Sequence, residues 1–234
     1  MAQGLVEEST MSGLASAFRA ANERFHTSTW KPSEMISMVV YPLSSIKGIV
    51  EGTCGRLLDI YWSEYTSDGS VSQIKAIKQR AFYLDSTIFT VRLDSVISIH
   101  SYAFYSCSRL QYALFSNCLS VGSYAFYSCG YLSNCNFSNV QYIYNAAFYS
   151  CRNITTLTFN QLSIIYPSAF RYCSTLSSLY LLGSSVCTLS NANAFQNTPI
   201  STSTNAKIYV PSSLYATYIA STNWVSYSSR FVSM

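Results

Sequence analysis

The sequence predicts an α/β repeat fold, a solenoid of coils about 22 residues long with a parallel sheet along one face. The first observation is a recurring dipeptide. Ala81-Phe82, Ala103-Phe104, Ala125-Phe126, Ala147-Phe148 and Ala169-Phe170 stand 22 residues apart, and a sixth copy, Ala194-Phe195, follows after 25. The second is a period of two inside each unit. With Ile88, Leu110, Leu132, Ile154 and Leu176 as position 1, position 4 holds Val91, Ala113, Cys135, Leu157 and Leu179, and position 6 holds Leu93, Phe115, Phe137, Phe159 and Leu181. Such alternation is a strand that buries one face. The third is that other apolar positions keep the same phase: Val96, Cys118, Val140 and Leu162 at position 9, Ile99, Val121, Ile143 and Ile165 at position 12, and Cys107, Cys129, Cys151 and Cys173 at position 20. One strand of the same polarity per coil pairs only as a parallel sheet, and the remaining apolar side chains turn back to fill the space behind it.

The pattern Cys-x-x-Leu-x-x-Leu-x-Leu/Phe followed by Ala-Phe, as in Cys151-Arg-Asn-Ile154-Thr-Thr-Leu157-Thr-Phe159 to Ala169-Phe170, resembles the BspA-like leucine-rich repeats over residues 57 to 210. The resemblance implies a leucine-rich-repeat solenoid. It implies little about ligand, because a fold does not determine what binds it.

Along the chain, Leu14, Phe18, Ala21 and Phe25 recur at helical spacing and predict a helix over residues 9–25, with Ser9 or Thr10 as its cap. A second helix begins at Pro32-Ser33-Glu34-Met35 and includes Ile36, Val39 and Val40. This segment resembles those preceding such repeats in phage and prophage tail-associated proteins of gut bacteria; the alternative is a cap over the first coil. Leu57 to Trp62 predicts an entry strand, and Ile74 and Ile77 already fit positions 9 and 12. Strands follow near 88–94, 110–116, 132–138, 154–160 and 176–182. Three extra residues between Leu182 and Asn193 should bulge without ending the stack. Ile208-Tyr-Val210 reads as the last strand, Ser212 to Ala220 as a helix, and Trp224, Tyr227 and Phe231 as a cap on the final coil. The expected division is a helical N-terminal unit over 1–56, the solenoid over 57–210 and a C-terminal cap over 211–234.

Charged residues make up 10% of the 234 and the net charge is +4, with Arg92, Arg109, Arg152 and Arg171 scattered, which argues against a nucleic-acid partner. No stretch approaches a membrane span, and Met1 to Glu8 lacks both the basic start and the apolar core of a secretory leader. The expectation is therefore a protein without membrane insertion. The resemblance of the N-terminal segment makes it a virion component, with the bacterial cell surface or secretion as the alternative.

Six of the eight cysteines fall on core positions. Ladder neighbours one coil apart, about 4.8 Å, are close enough that distance alone leaves bridging open, but buried free thiols are common small hydrophobes and are the favoured reading. Catalytic signatures are missing: only His26 and His100 are available, no Cys-x-x-Cys occurs, and the ten acids fall in different turns. The expectation is a non-enzymatic protein needing no cofactor and no metal.

Binding is expected on the outward face of the sheet, where positions 2, 3, 5 and 7 hold, in successive units, Phe89, Thr90, Arg92 and Asp94, then Tyr112, Asn134, Asn136, Thr156, Asn160 and Tyr180 among short hydroxyls and amides. Such groups adapt their hydrogen bonds while tyrosine supplies rigid contact area, a palette shared with antibody paratopes. Tyr112, Asn134, Asn136, Thr156, Asn160 and Tyr180 are the candidate ligand-binding residues, for a protein or glycan on a cell surface; the N-terminal unit is the candidate attachment to other virion proteins. A rival reading is a structural virion component used in decoration or assembly. A second surface is the ladder Tyr83, Tyr105, Tyr127 and Tyr149, which either packs along the side of the solenoid or forms an aromatic strip.

Overall fold

The computed structural model describes residues 76–234, apart from Thr87 and Ser95, together with the backbone of the strands Ile49–Val50 and Asp59–Tyr61. The helices expected over 9–25 and from Pro32 lie outside the described residues. Each coil contributes two short strands, parallel to their counterparts in the neighbouring coils. One series runs Asp59–Tyr61, Thr90–Arg92, Tyr112–Leu114 and Asn134–Asn136, then Thr156–Phe159, Ser178–Leu181, Lys207–Val210 and Phe231–Ser233. It occupies the middle of each predicted strand segment, and the register steps by one repeat: Thr90 lies opposite Tyr112, Tyr112 opposite Asn134 and Thr156 opposite Ser178. The series forms two four-stranded sheets, divided between Asn134–Asn136 and Thr156–Phe159.

The other series is a continuous seven-stranded parallel sheet of two-residue strands, among them Ser98–Ile99, Ser120–Val121, Tyr142–Ile143 and Ile164–Ile165. Sequence patterning located its inward residues at position 12 but not the strands, because two residues are too few to show a period.

The remaining side of each coil is a turn carrying the Ala-Phe pair. Ala103, Tyr105 and Cys107 donate their N–H groups to carbonyls three residues back, while Tyr102, Phe104 and Ser106 donate to Ser123, Ala125 and Tyr127 of the next coil at 3.0, 2.7 and 2.7 Å. Alternation of this kind needs left-handed residues on both sides of the phenylalanine, found at Tyr102 (φ 61°) and Ser106 (φ 55°) and again at Tyr124 and Ser128. Each such residue costs of order 1 kcal/mol. That cost is offset because every amide in the turn is hydrogen-bonded.

Inside, Phe82, Phe104, Phe126, Phe148, Phe170 and Phe195 form one column of fully buried rings, stacked at 4.9, 5.0, 5.2, 5.4 and 5.4 Å. Phe137 meets Phe126 and Phe148 edge-on at 5.4 and 5.1 Å. The cysteine ladder is built of free thiols with a purpose beyond filling space. The sulfurs of Cys107, Cys129, Cys151 and Cys173 donate to the carbonyls of Phe82, Phe104, Phe126 and Phe148 one coil back, at 3.0 to 3.1 Å. At the two ends of this column the equivalent positions are Asp85 and Thr198, whose side chains bond backbone locally, to Ile88 N and Phe195 O.

The three extra residues are split by the register. Ile164 pairs with Thr188, 24 residues on, whereas Phe170 stacks on Phe195, 25 on, so two residues enter before the strand Thr188–Leu189 and one after it. The stack continues, as expected. The sheet goes one strand beyond Val210: after the helix Ser212–Ala220, Phe231–Ser233 returns to pair in parallel with Ile208–Val210. Between them Trp224, Tyr218 and Tyr227 bury themselves against the last coil and finish its edge with side-chain hydrogen bonds. Tyr218 Oη accepts from Cys187 N at 2.9 Å, Trp224 Nε1 donates to Cys187 O at 2.6 Å, Asn223 Nδ2 donates to Leu189 O at 2.7 Å, and Tyr227 Oη donates to Ala192 O. An open sheet edge invites pairing with another chain, and this cap removes that opportunity at the Thr188–Leu189 end of the seven-stranded sheet.

Candidate functional site

The strand face is an array of two columns. One reads Thr90, Tyr112, Asn134, then Thr156, Ser178 and Lys207; the other reads Arg92, Leu114, Asn136, then Thr158, Tyr180 and Tyr209. Burial of Val91, Ala113, Leu157, Leu179 and Ile208 between them turns these residues outward. Tyr112, Asn134, Asn136, Thr156 and Asn160 are exposed, and Tyr180 is half-buried.

The six candidate residues fall into two groups on either side of the sheet division. Tyr112, Asn134 and Asn136 share the first sheet; Thr156 and Tyr180 share the second. Asn160 follows the end of its strand and bridges the division, its N–H donating to Ser138 O at 2.7 Å. Asn136 Oδ1 accepts from Ser138 N at 3.2 Å, which pins its side chain.

One outward assignment is corrected. Thr90 is only 7% exposed; its ladder neighbours are Asp59 and Tyr112, and the Phe89 and Tyr112 rings meet 5.8 Å apart at this edge. Tyr209 was missed as a face residue. It stacks on Tyr180 at 4.4 Å, and its place between buried Ile208 and Val210 is the signal that marks it. Aromatic pairs thus flank the amides and hydroxyls at both ends: Phe89 with Tyr112, and Tyr180 with Tyr209.

Charge stays toward the two ends of the face, at Arg92 and at Lys207, whose Nζ donates to Thr204 O at 3.2 Å. Arg92 and Asp94 pair at 3.1 Å with both side chains about half exposed, a contact of little energetic weight. Burial opposes ionisation of Asp94, but hydrogen bonds from Ser116 and Arg92 outweigh it and hold the carboxyl below its usual value. Beyond the strands, Asn117, Asn139 and Gln161 each donate to the carbonyl one coil back, at 2.7, 2.7 and 2.8 Å, which holds this rim rigid.

The tyrosine ladder has a different character. Tyr83, Tyr105, Tyr127 and Tyr149 stack on one another at 5.0, 4.9 and 4.7 Å, nearly parallel, and Arg80 lies 5.5 Å from the Tyr83 ring. Their faces are spent on each other, leaving edges and hydroxyls to solvent. This favours packing along the side over a platform for sugar rings.

Among the described residues the cysteines offer no nucleophile. Burial pushes Cys118 and Cys135 up to about 12 and raises Cys151 further, so they stay protonated at neutral pH. Among the described residues no group of three or more His, Cys, Asp or Glu side chains is placed to hold a metal ion, and no helix is long and apolar enough to cross a membrane.

A stack of parallel-stranded coils joined by repeated turns defines a repeat protein of the solenoid class. The family model described as BspA type leucine rich repeat region matches residues 67–154 and 97–216 with six copies, and the chain belongs to that family. Residues 1–66 lie outside the match, so the resemblance of the N-terminal segment to phage-tail proteins gains no support from it. The fold is similar to that of a leucine rich cell surface protein from Faecalibacterium prausnitzii A2-165, with a TM-score of 0.54 and 22% identity over 70% of this chain and 44% of that one. A leucine-rich repeat protein from Bacteroides ovatus gives a TM-score of 0.53 and 21% identity over 69% of this chain and 40% of that one. The chain thus spans less than half the length of either. No curated protein matches it.

Proposed function

We propose that this chain is a non-enzymatic recognition module of a cell-surface or secreted protein, binding a protein or glycan on another cell through its strand face. The observation that carries this is the composition of the two columns: exposed Tyr112, Asn134, Asn136, Thr156 and Asn160, held in register by buried neighbours, with charge only toward the ends of the face, at Arg92, paired with Asp94, and at Lys207, which donates to Thr204 O. Neutral amides and hydroxyls are desolvated more cheaply than charges, and tyrosine at the ends supplies contact area with little entropy to lose. The cell-surface description of the Faecalibacterium prausnitzii neighbour supports this location over the virion, a reading that rested on the N-terminal segment alone.

The test is a double substitution, Tyr112→Ala with Asn136→Asp, in the full chain. Neither side chain enters the core, and aspartate keeps the oxygen that accepts from Ser138 N. Loss of an aromatic anchor from an interface costs about 2 kcal/mol or more, roughly thirtyfold in affinity. Binding to intact cells should therefore fall by at least that factor while the chain stays folded, its thermal midpoint lowered by only a few degrees. Undiminished binding by the folded variant removes the strand face as the recognition surface.

A further inference from the structure

On a different side of the solenoid the seven-stranded sheet carries a column of residues that directly follow its strands: His100, Gly122, Tyr144 and Tyr166. Tyr144 and Tyr166 stack at 5.0 Å with an interplanar angle of 11°. One coil back the ring is missing, because the residue there is Gly122. A Cβ at that position would meet the backbone of His100 and Ser101 at 2.7 Å, so the glycine is required by the close approach of two coils. The gap is a cavity of about 270 Å³, open to solvent. Gly122 lies in its lining between His100 and Tyr144 of the flanking coils, with Ser98, Ser101, Ser120 and Ser123 around it and Gln79 reaching in from one coil further back.

We infer that this notch binds one neutral pyranose ring of a glycan, stacked on the open face of Tyr144. Coils repeat at about 4.8 Å, so His100 and Tyr144 are separated by roughly 10 Å along the stack, room for one flat ring at the spacing the ladder itself uses. The face of Tyr144 away from Tyr166 has no ring opposite it at Gly122, in contrast to the Tyr83 to Tyr149 ladder, whose faces cover one another. An apolar ring face with serine hydroxyls around it matches the alternation of C–H and O–H groups on a pyranose. Neither Lys, Arg, Asp nor Glu lines the cavity, which selects a neutral sugar over an acidic or phosphorylated one. The notch is independent of the strand face, because the two lie on different sheets.

The probes are free glucose, galactose, mannose and N-acetylglucosamine, titrated into the full chain up to about 50 mM and followed by NMR and calorimetry, since single-sugar contacts of this kind fall in the millimolar range. At least one should saturate, shifting the resonances of Gly122, Ser120 and Tyr144. Tyr144→Phe should bind within about threefold of wild type, and Tyr144→Ala should bind about tenfold more weakly or not at all. His100→Ala, which leaves the Tyr144 and Tyr166 stack in place, should weaken binding by several-fold and guards against misfolding of the alanine variant. The strand-face double variant should bind the sugar normally, so that failure of either site is read separately. Absence of saturation by all four sugars overturns the inference. So does unchanged affinity in both Tyr144→Ala and His100→Ala, or an aromatic solute such as indole displacing no sugar while occupying the notch itself.

Discussion

Phe126→Ala probes the column on which the stack depends. Phe126 is fully buried, lies between Phe104 at 5.0 Å and Phe148 at 5.2 Å, and receives the edge of Phe137 at 5.4 Å. Truncating a buried phenylalanine costs about 3–5 kcal/mol, with the larger values where the cavity cannot collapse. Here collapse is resisted by backbone: Phe104 N donates to Ala125 O and Phe126 N to Ala147 O, both at 2.7 Å, so the three coils keep their spacing. The expected cost is about 4–5 kcal/mol, a large share of the roughly 5–15 kcal/mol that holds an ordinary domain together. The neighbour Tyr127 is the internal control. It sits in an equally regular stack, at 4.9 and 4.7 Å, but is half-exposed, so Tyr127→Ala should cost only about 1–2 kcal/mol. Urea unfolding followed by circular dichroism reads both. A decrease in slope for Phe126→Ala would show that coils on one side of the cavity unfold separately, as a nearest-neighbour array allows. A cost below about 1 kcal/mol, or one equal to that of Tyr127→Ala, refutes the placement of this ring at the centre of the core.

The buried thiols and phenols give a pH dependence. Cys118, Cys135, Tyr218 and Tyr227 are each pushed up to about 12 by burial, so above about pH 8.5 the folded chain keeps protons that the unfolded chain releases. Stability should be flat near neutrality and fall as pH rises toward 12, by up to about 1.4 kcal/mol per pH unit for each thiol, and Cys118→Ala should reduce the slope. Stability that rises over this range contradicts the burial. Cys107, Cys129, Cys151 and Cys173 should react with a thiol reagent slowly when native and quickly in denaturant, which mass measurement follows. Asn139→Ala removes the bond to Ser116 O and should cost about 1 kcal/mol in the same urea experiment. Trp224→Ala should cost about 3–5 kcal/mol and expose the last coil to hydrogen exchange before the middle ones.

What the sequence revealed follows from how often a residue pattern repeats. The phase of Ala103-Phe104 through Ala194-Phe195 was readable because six copies of one packing problem have one solution, and the strands at Tyr112, Asn134 and Thr156 emerged at the predicted places. Of the features that occur once, the helix Ser212–Ala220 and the capping residues Trp224 and Tyr227 were readable, but others were not. The return of Phe231–Ser233 to the sheet depends on a cap whose residues recur nowhere else, and burial of Thr90 depends on its strand neighbours at one end. The seven-stranded sheet escaped because its strands are two residues long. The candidate site was readable as a composition, since alternation alone turns Asn134 and Asn136 outward, but its division into two sheets was not. The notch at Gly122 illustrates the same limit from the other side: His100 reads as an unremarkable turn residue until the ring-less coil beside it is seen in register with Tyr144.

Recognition through the strand face is tested most directly by site-specific photocrosslinking. A benzophenone side chain is placed at Asn134, in the middle of the face, or at Ser226, exposed on the C-terminal cap, and each folded chain is irradiated on intact cells. Covalent retention should come from position 134 and be absent from position 226. Equal retention from both positions, or retention from 226 alone, contradicts binding through the strand face.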